Sequence, residues 1–203
     1  MSHLTFTPKG GLGNQLFQLL TCLMFAKRSN VPVTLPGTLR NRQIVKMFNI
    51  HYPYSFFDGV PDNYIHEYTN LQTEIRLLDG INSIEGYRQN VNYFDDEEMI
   101  TYDRPPIIDG DYIAVHIRGG DYNKWYNYYR PLRQLQHCGT LYYQTALAYI
   151  KTFAPDIPVY IVTDDIDYAR TFNIEGHIQS ESLENDFNVL YWAKYIIFPN
   201  STF

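Results

Sequence analysis

Cysteine, clustered histidine, runs of basic charge and long apolar stretches are all scarce in these 203 residues. Each shortage removes a class of protein. The two cysteines, Cys22 and Cys138, stand more than half the chain apart with no CxxC spacing, so neither a disulfide scaffold nor a cysteine-based zinc site is indicated. The six histidines are scattered, without an HxxxH or HExxH pair, and no bound metal is expected. Lys and Arg number 16 against 22 Asp and Glu, a formal net charge of −6 with no basic run, which argues against a nucleic-acid backbone or an anionic membrane as the main partner. A small anionic ligand needs only two or three local cations and stays open. The most apolar stretch, Leu16 to Ala26, is too short for a bilayer and is interrupted by Gln18 and Thr21. It also lacks the flanks of a signal peptide. A soluble, cytoplasmic protein without an integral membrane segment is the expectation.

What is present is bulky and aromatic. Hydrophobic residues make up 45% of the chain and aromatic ones 16%, with 19 Tyr, enough to build a packed core. The length suits one large domain or two small ones. Residues 3–8 alternate as a short strand, residues 9–14 read as a glycine loop, and Leu16, Leu19, Leu20, Leu23 and Ala26 fall on one helix face. A second strand follows around Val31, Val33 and Leu35, opening a parallel α/β unit. Residues 37–80 carry a weak pattern with one apolar run, 75–78. The acidic run 95–98 and the pair Pro105-Pro106 read as an interdomain linker. Beyond it the α/β rhythm restarts: a strand over 112–117, a helix over 141–153 that Thr140 could cap, a strand over 159–163, a helix over 183–195 and a last strand over 196–198. The boundaries are 1–104 for an N-terminal α/β domain and 105–203 for a C-terminal Rossmann-like domain.

Ligands of parallel sheets bind beyond the carboxyl ends of strands, so the segments that follow strands are the candidates. Residues 10–15 (Gly-Gly-Leu-Gly-Asn-Gln) place glycines where backbone amides and a helix start can meet an anion. They lack the third glycine of a dinucleotide fingerprint and the Gly-Lys-Ser/Thr of a nucleotide-hydrolase loop, and a turn serving only close strand-helix packing fits equally. In residues 116–122, His116 and Arg118 leave their strand on one side. Arg118 is a permanent cationic fork, His116 a donor or proton carrier, and Asp121 could fix the Arg or hold the loop. Thr163-Asp164-Asp165 either caps the next helix or, as Asp165-x-Asp167, holds Mn²⁺ and a nucleotide sugar.

Five segments in this order, 10–18, 86–89 with Tyr93-Phe94, 116–122, 163–165 and 200–203 (Asn-Ser-Thr-Phe), resemble the α-1,2-fucosyltransferases of glycosyltransferase family eleven. The resemblance covers nearly the whole chain. It implies a GT-B-like fold of two facing Rossmann-like domains, the C-terminal part shorter than the family's, the N-terminal domain on the acceptor side and the C-terminal one holding GDP-fucose. It implies metal-independent, inverting transfer of fucose to a galactoside hydroxyl, with a nucleotide sugar and a glycan acceptor as partners and no further cofactor. Carried over, Arg118 neutralises the departing diphosphate with help from His116; Asp121 is added to the catalytic candidates for its place beside that loop. Gly11, Gly13, Asn14, Gln15, Asp164, Asn200, Ser201 and Thr202 bind the donor. Tyr87, Gln89, Trp125 and Tyr126 are the candidates for the acceptor side; the rings of Trp125 and Tyr126 suit stacking on sugar C–H faces, and packing in the core fits them as well. The acids nearest these motifs, Asp121 and Glu85, are the candidates for general base. The family's loop reads His-x-Arg-Arg-Gly-Asp-Tyr, whereas this chain has Gly119 at the second Arg. Two alternatives accompany this reading: a non-catalytic relic that binds nucleotide or glycan, and the Mn²⁺-dependent transferase built on Asp165 and Asp167.

Overall fold

The structure, a computed structural model, describes residues 1–37, 44–66, 75–88, 99–120 and 138–199. They form two compact units, Met1–Asp103 and a second that starts at Arg104.

In the first unit, β1 (Ser2–Phe6) leads through a glycine turn into α1 (Leu12–Ser29), followed by β2 (Val33–Pro36), β3 (Asn49–Ile50), β4 (Tyr54–Phe57), β5 (Asn63–Ile65), β6 (Gly80–Ile84) and β7 (Ile100–Thr101). Leu4 and Phe6 of β1 are buried, as are Leu19, Cys22, Leu23 and Ala26 of α1. Helix α1 begins earlier than its apolar periodicity suggests. Gly11 is its N-cap, so Leu12, Gly13 and Asn14, expected in a loop, fall with Gln15 in its first turn. At the other end Asn30 adopts a left-handed conformation (φ 51°) and returns its amide to the Ala26 and Lys27 carbonyls, with Lys27 and Arg28 placed favourably for the helix dipole.

Five of these strands make one all-parallel sheet in the order β4-β2-β1-β6-β5. The chain moves outward from β1 to one edge and then fills the other side, so the order reverses between β1 and β6. Strands β3 and β7 form a separate antiparallel pair, and β7 lies close behind the acidic run expected to be a linker. The apolar run 75–78 is not a strand. Asn82, fully buried in β6, donates to the His3, Leu78 and Gly80 carbonyls and accepts the Leu78 amide at 3.0 Å, fixing a turn just before the strand begins.

The second unit runs β8 (Ile113–Ile117), α2 (Thr140–Lys151), β9 (Val159–Thr163), α3 (Ile166–Arg170), β10 (His177–Gln179), α4 (Leu183–Tyr191) and β11 (Tyr195–Ile197). Its sheet is parallel in the order β10-β9-β8-β11. Strand β8 is buried on both faces. Ile113, Val115 and Ile117 pack with Tyr143 and Ile150 of α2 and Ala169 of α3, while Tyr112 and Ala114 pack with Val162 and Val189 of α4. Helices therefore cover both sides, and the strand order reverses between β8 and β11. Three local expectations change. Gly139, not Thr140, is the N-cap of α2. Helix α4 stops at Tyr191, four residues short of expectation, and Tyr195 already belongs to β11. The proline segment is packed rather than a free linker: Asn188 holds the Pro105 carbonyl and the Ile107 amide, and the Trp192 indole donates to the Arg104 carbonyl at 2.9 Å.

The fold is thus mixed α/β with parallel sheets, compatible with a Rossmann-like class. Among the described residues, no helix is long and apolar enough to cross a membrane.

Candidate functional site

Beyond the carboxyl end of β8, next to the strand-order reversal, His116 and Arg118 meet the turn that follows β9. Arg118 Nη1 lies 2.7 Å from Asp164 Oδ2, and the Gly119 amide donates to Asp164 Oδ1 at 2.8 Å. One carboxylate therefore holds both the guanidinium and the loop backbone, a charge-assisted arrangement that orients Arg118 before any ligand arrives. The sequence assigns Asp164 to the donor; its observed partner is Arg118. Both glycines after Arg118 have steric reasons. A Cβ at position 119 would stand 2.5 Å from Asp165 Cβ and 3.0 Å from Tyr168 Cδ1. Gly120 has φ +43°, and a Cβ there would stand 2.6 Å from Asp164 Oδ2. Position 119 thus has no room for an Arg without moving the β9–α3 turn.

His116 is only 5% exposed. Burial and then the Arg118 charge push its pKa down to about 4, against a smaller opposite pull from Asp164. At neutral pH it is an uncharged imidazole, a hydrogen-bonding group rather than a second cation. Asp186, in the first turn of α4, shows the opposite shift: burial, followed by the negative charges of Glu181 and Asp164, raises it to about 6 although the Glu181 amide donates to it. No sequence motif marks Asp186, whose only signal is its place among the acids at the start of a helix.

The neighbouring acids have local duties. Asp165 caps α3 by accepting the Tyr168 amide at 3.0 Å, and its own amide donates to Thr163 Oγ1 at 3.0 Å. Asp167 is exposed and pairs with Arg170 at 3.4 Å. The two carboxylates of the DxD pattern are thus engaged separately. Among the described residues, no group of three His, Cys, Asp or Glu is arranged to hold a metal ion.

The first unit has its own polar cluster at the reversal between β1 and β6. Gly10 (φ +75°) makes the turn after β1, and Gly11 opens α1 with neither a side-chain cap nor an acid in the first turn. Such a helix start favours anions. Gln15, buried, donates to the Gly10 carbonyl at 2.8 Å. Gln18 accepts the Lys9 amide and donates to the Gly86 carbonyl at 3.2 Å, joining the two strand ends. Glu85 accepts from Lys9 Nζ at 2.6 Å, Thr7 Oγ1 at 2.5 Å and Ser83 Oγ at 3.2 Å. Burial alone would raise its pKa, but these three partners outweigh burial and hold it below the usual carboxylate range. Arg88, 1% exposed and left-handed at φ 54°, donates to the Glu85 and Ile65 carbonyls. Its burial was not foreseen from the sequence, where Tyr87 and Gln89 beside it carry the expected contacts. Tyr87 is half exposed.

Seven expected site residues, Gln89, Asp121, Trp125, Tyr126, Asn200, Ser201 and Thr202, lie outside the described residues. Within the described set, His116, Arg118 and Asp164 come together in the second unit, and Gly11, Gly13, Asn14 and Gln15 form one helix start in the first. In comparison with known proteins, the chain matches no family model, no curated protein and no solved structure.

Proposed function

We propose that this chain is a glycosyltransferase that moves L-fucose from GDP-fucose to a galactoside hydroxyl, with inversion and without a metal cofactor. This is the reaction of the α-1,2-fucosyltransferases that its motifs resemble. The observation that carries the reading is Arg118 braced by Asp164 at the carboxyl end of a parallel strand, beside the reversal of strand order where such sheets take nucleotides. As the bond from the fucose carbon to the β-phosphate breaks, negative charge grows on the leaving GDP. A guanidinium already oriented by Asp164 stabilises that charge without reorganising. His116, neutral at working pH, adds a hydrogen bond without adding charge.

The acceptor oxygen attacks from the opposite face, and its proton goes to a carboxylate. Glu85 suits that role poorly because Lys9, Thr7 and Ser83 already occupy it, so the proposal gives the proton to Asp121. Gly11, Gly13, Asn14 and Gln15 with Asn200, Ser201 and Thr202 bind the donor, and Tyr87, Gln89, Trp125 and Tyr126 the acceptor. The mechanism requires the two units to face one another in the GT-B manner. A second reading, a non-catalytic binder of nucleotide or glycan, is favoured by Gly119, which removes one cation from the phosphate loop.

Thermal unfolding with GDP, UDP and NAD separates ligand classes. GDP at about a hundredfold over its dissociation constant adds about 2.7 kcal/mol of stability, and the other two add nothing comparable. Transfer to a panel of β-galactosides, insensitive to EDTA, falls about 10²-fold or more in Arg118→Ala. A GDP shift without turnover selects the binder. No shift with any of the three nucleotides, no shift with the β-galactoside panel and no transfer together reject both readings.

A further inference from the structure

Strands β8, β9 and β10 pair in register so that His116, Val162 and Gln179 form one row across the second sheet. Val162 packs with Val189 of α4, so all three side chains stand on the face that α4 covers. Helix α4 follows β10 and precedes β11, and its start therefore lies at the carboxyl edge of these parallel strands. Asp186 stands one turn before Val189 on the same stripe of α4, which places it over the carboxyl end of that row. The corner is polar but poorly paired. Among the described residues, the Asp186 carboxylate accepts a hydrogen bond from the Glu181 amide at a long 3.4 Å, and Gln179 Nε2 is buried without an acceptor. Nothing here locks Asp186 in its ionised form.

The charges around it are mostly negative. Glu181 and Glu184 belong to its own segment, and Glu184 is matched by Arg104. Asp164 and Asp165 come from the β9–α3 turn, where Asp165 is engaged in capping α3. His116, from β8, is neutral above about pH 4. Arg118, just past the end of β8, is held by Asp164 at 2.7 Å. Asp186 thus meets the charge of Asp164 rather than that of Arg118, and burial, then Glu181 and Asp164, raise its pKa to about 6. It changes charge close to neutrality.

The Arg118 side chain keeps 26% of its surface open, so an oxyanion can reach the guanidinium that Asp164 holds. Such a ligand brings more negative charge to a corner where Asp164 already opposes the ionised Asp186. We propose that Asp186 is proton-linked to the Arg118 site: an oxyanion bound at Arg118 is taken up together with a proton from solvent on Asp186, and the ligand is released more readily once that proton leaves. Proton linkage at Asp186 rests on Arg118 as an anion site, which the proposed function shares, and is indifferent to which nucleotide binds or whether transfer occurs.

Titration of the whole protein with sulfate, which stays dianionic from pH 5 to 8, tests this through the amide NMR signals near Arg118. Binding is expected to be about three- to tenfold tighter at pH 5 than at pH 8, and the Asp186 carboxyl signal should titrate at higher pH with sulfate than without it. The second readout needs no substitution. Asp186→Asn, which can still accept the Glu181 amide, should bind sulfate at pH 8 more tightly than the parent protein does and lose most of the pH dependence. The proposal is overturned if parent affinity is equal at pH 5 and 8, if sulfate leaves the Asp186 midpoint unmoved, or if Asp186→Asn keeps the parent's pH dependence. Each of these leaves the anion site standing. Absence of sulfate binding at every pH overturns the proposal together with Arg118 as an anion site.

Discussion

His116 on β8 and Arg118 just past its end sit two residues apart, yet the same surroundings treat them oppositely. The guanidinium cannot give up its charge and is matched by Asp164, whereas the imidazole responds to burial and to Arg118 by staying neutral. The coupling has a measurable sign. In Arg118→Ala the His116 ring should titrate above its present value of about 4, while remaining below 6.5 because burial is the larger cause. In Asp164→Asn it should titrate lower still, since Asp164 is the group pulling it up. Histidine ring NMR reads both, and equal titration in the three proteins would refute the assignment. The residue types of this site were legible because His-x-Arg at a strand end has a chemical meaning. Its central contact was not, because Asp164 reaches Arg118 only once β8 and β9 pair side by side.

At the level of elements, helix starts illustrate how local chemistry decides. Asp165 and Ser182 each accept an amide three residues on, opening α3 and α4. Asp165→Ala should cost about 1 kcal/mol in urea unfolding, while Asp165→Asn should change stability little, since asparagine caps as well as aspartate. A stability loss shared by both substitutions would mean that the charge, not the cap, matters. Strands β8 and β9 were readable as apolar runs because both their faces are covered. Strands β4 and β5 were not: they are the sheet's edges, only a few residues long, and Tyr54, Phe56 and Tyr64 remain exposed, which erases the alternation that marks a half-buried strand. The start of α1 was missed because Gly11 and Gly13 look like loop residues. They are accommodated there because Leu12 is buried and Gln15 folds back on Gly10.

For the whole molecule, pH dependence sums groups that act in opposite directions. His116 titrates near 4 when folded against an ordinary 6.5, so its contribution is complete above pH 6.5 and is lost as pH falls toward 4. Asp186 titrates near 6 against an ordinary 3.8, so its contribution is complete below pH 3.8 and is lost as pH rises through 6. Between pH 4 and 6 the two oppose each other. Asp186→Asn should therefore be more stable than the parent protein at pH 7 and lose stability more steeply from pH 6 to 4, as urea unfolding at several pH values will show. Parallel curves would exclude the assignment for Asp186. Composition and periodicity by themselves determined an α/β chain with buried parallel strands and polar segments after them, because apolar runs and glycine turns act through neighbouring residues. Only the tertiary structure decided which polar groups meet. Asp164 came to Arg118 through the pairing of the successive strands β8 and β9, and Glu85 to Lys9 through β1 and β6, which pair although four strands lie between them in the chain; the pull of burial on His116 and Asp186 exists only once the strands and helices have closed around them.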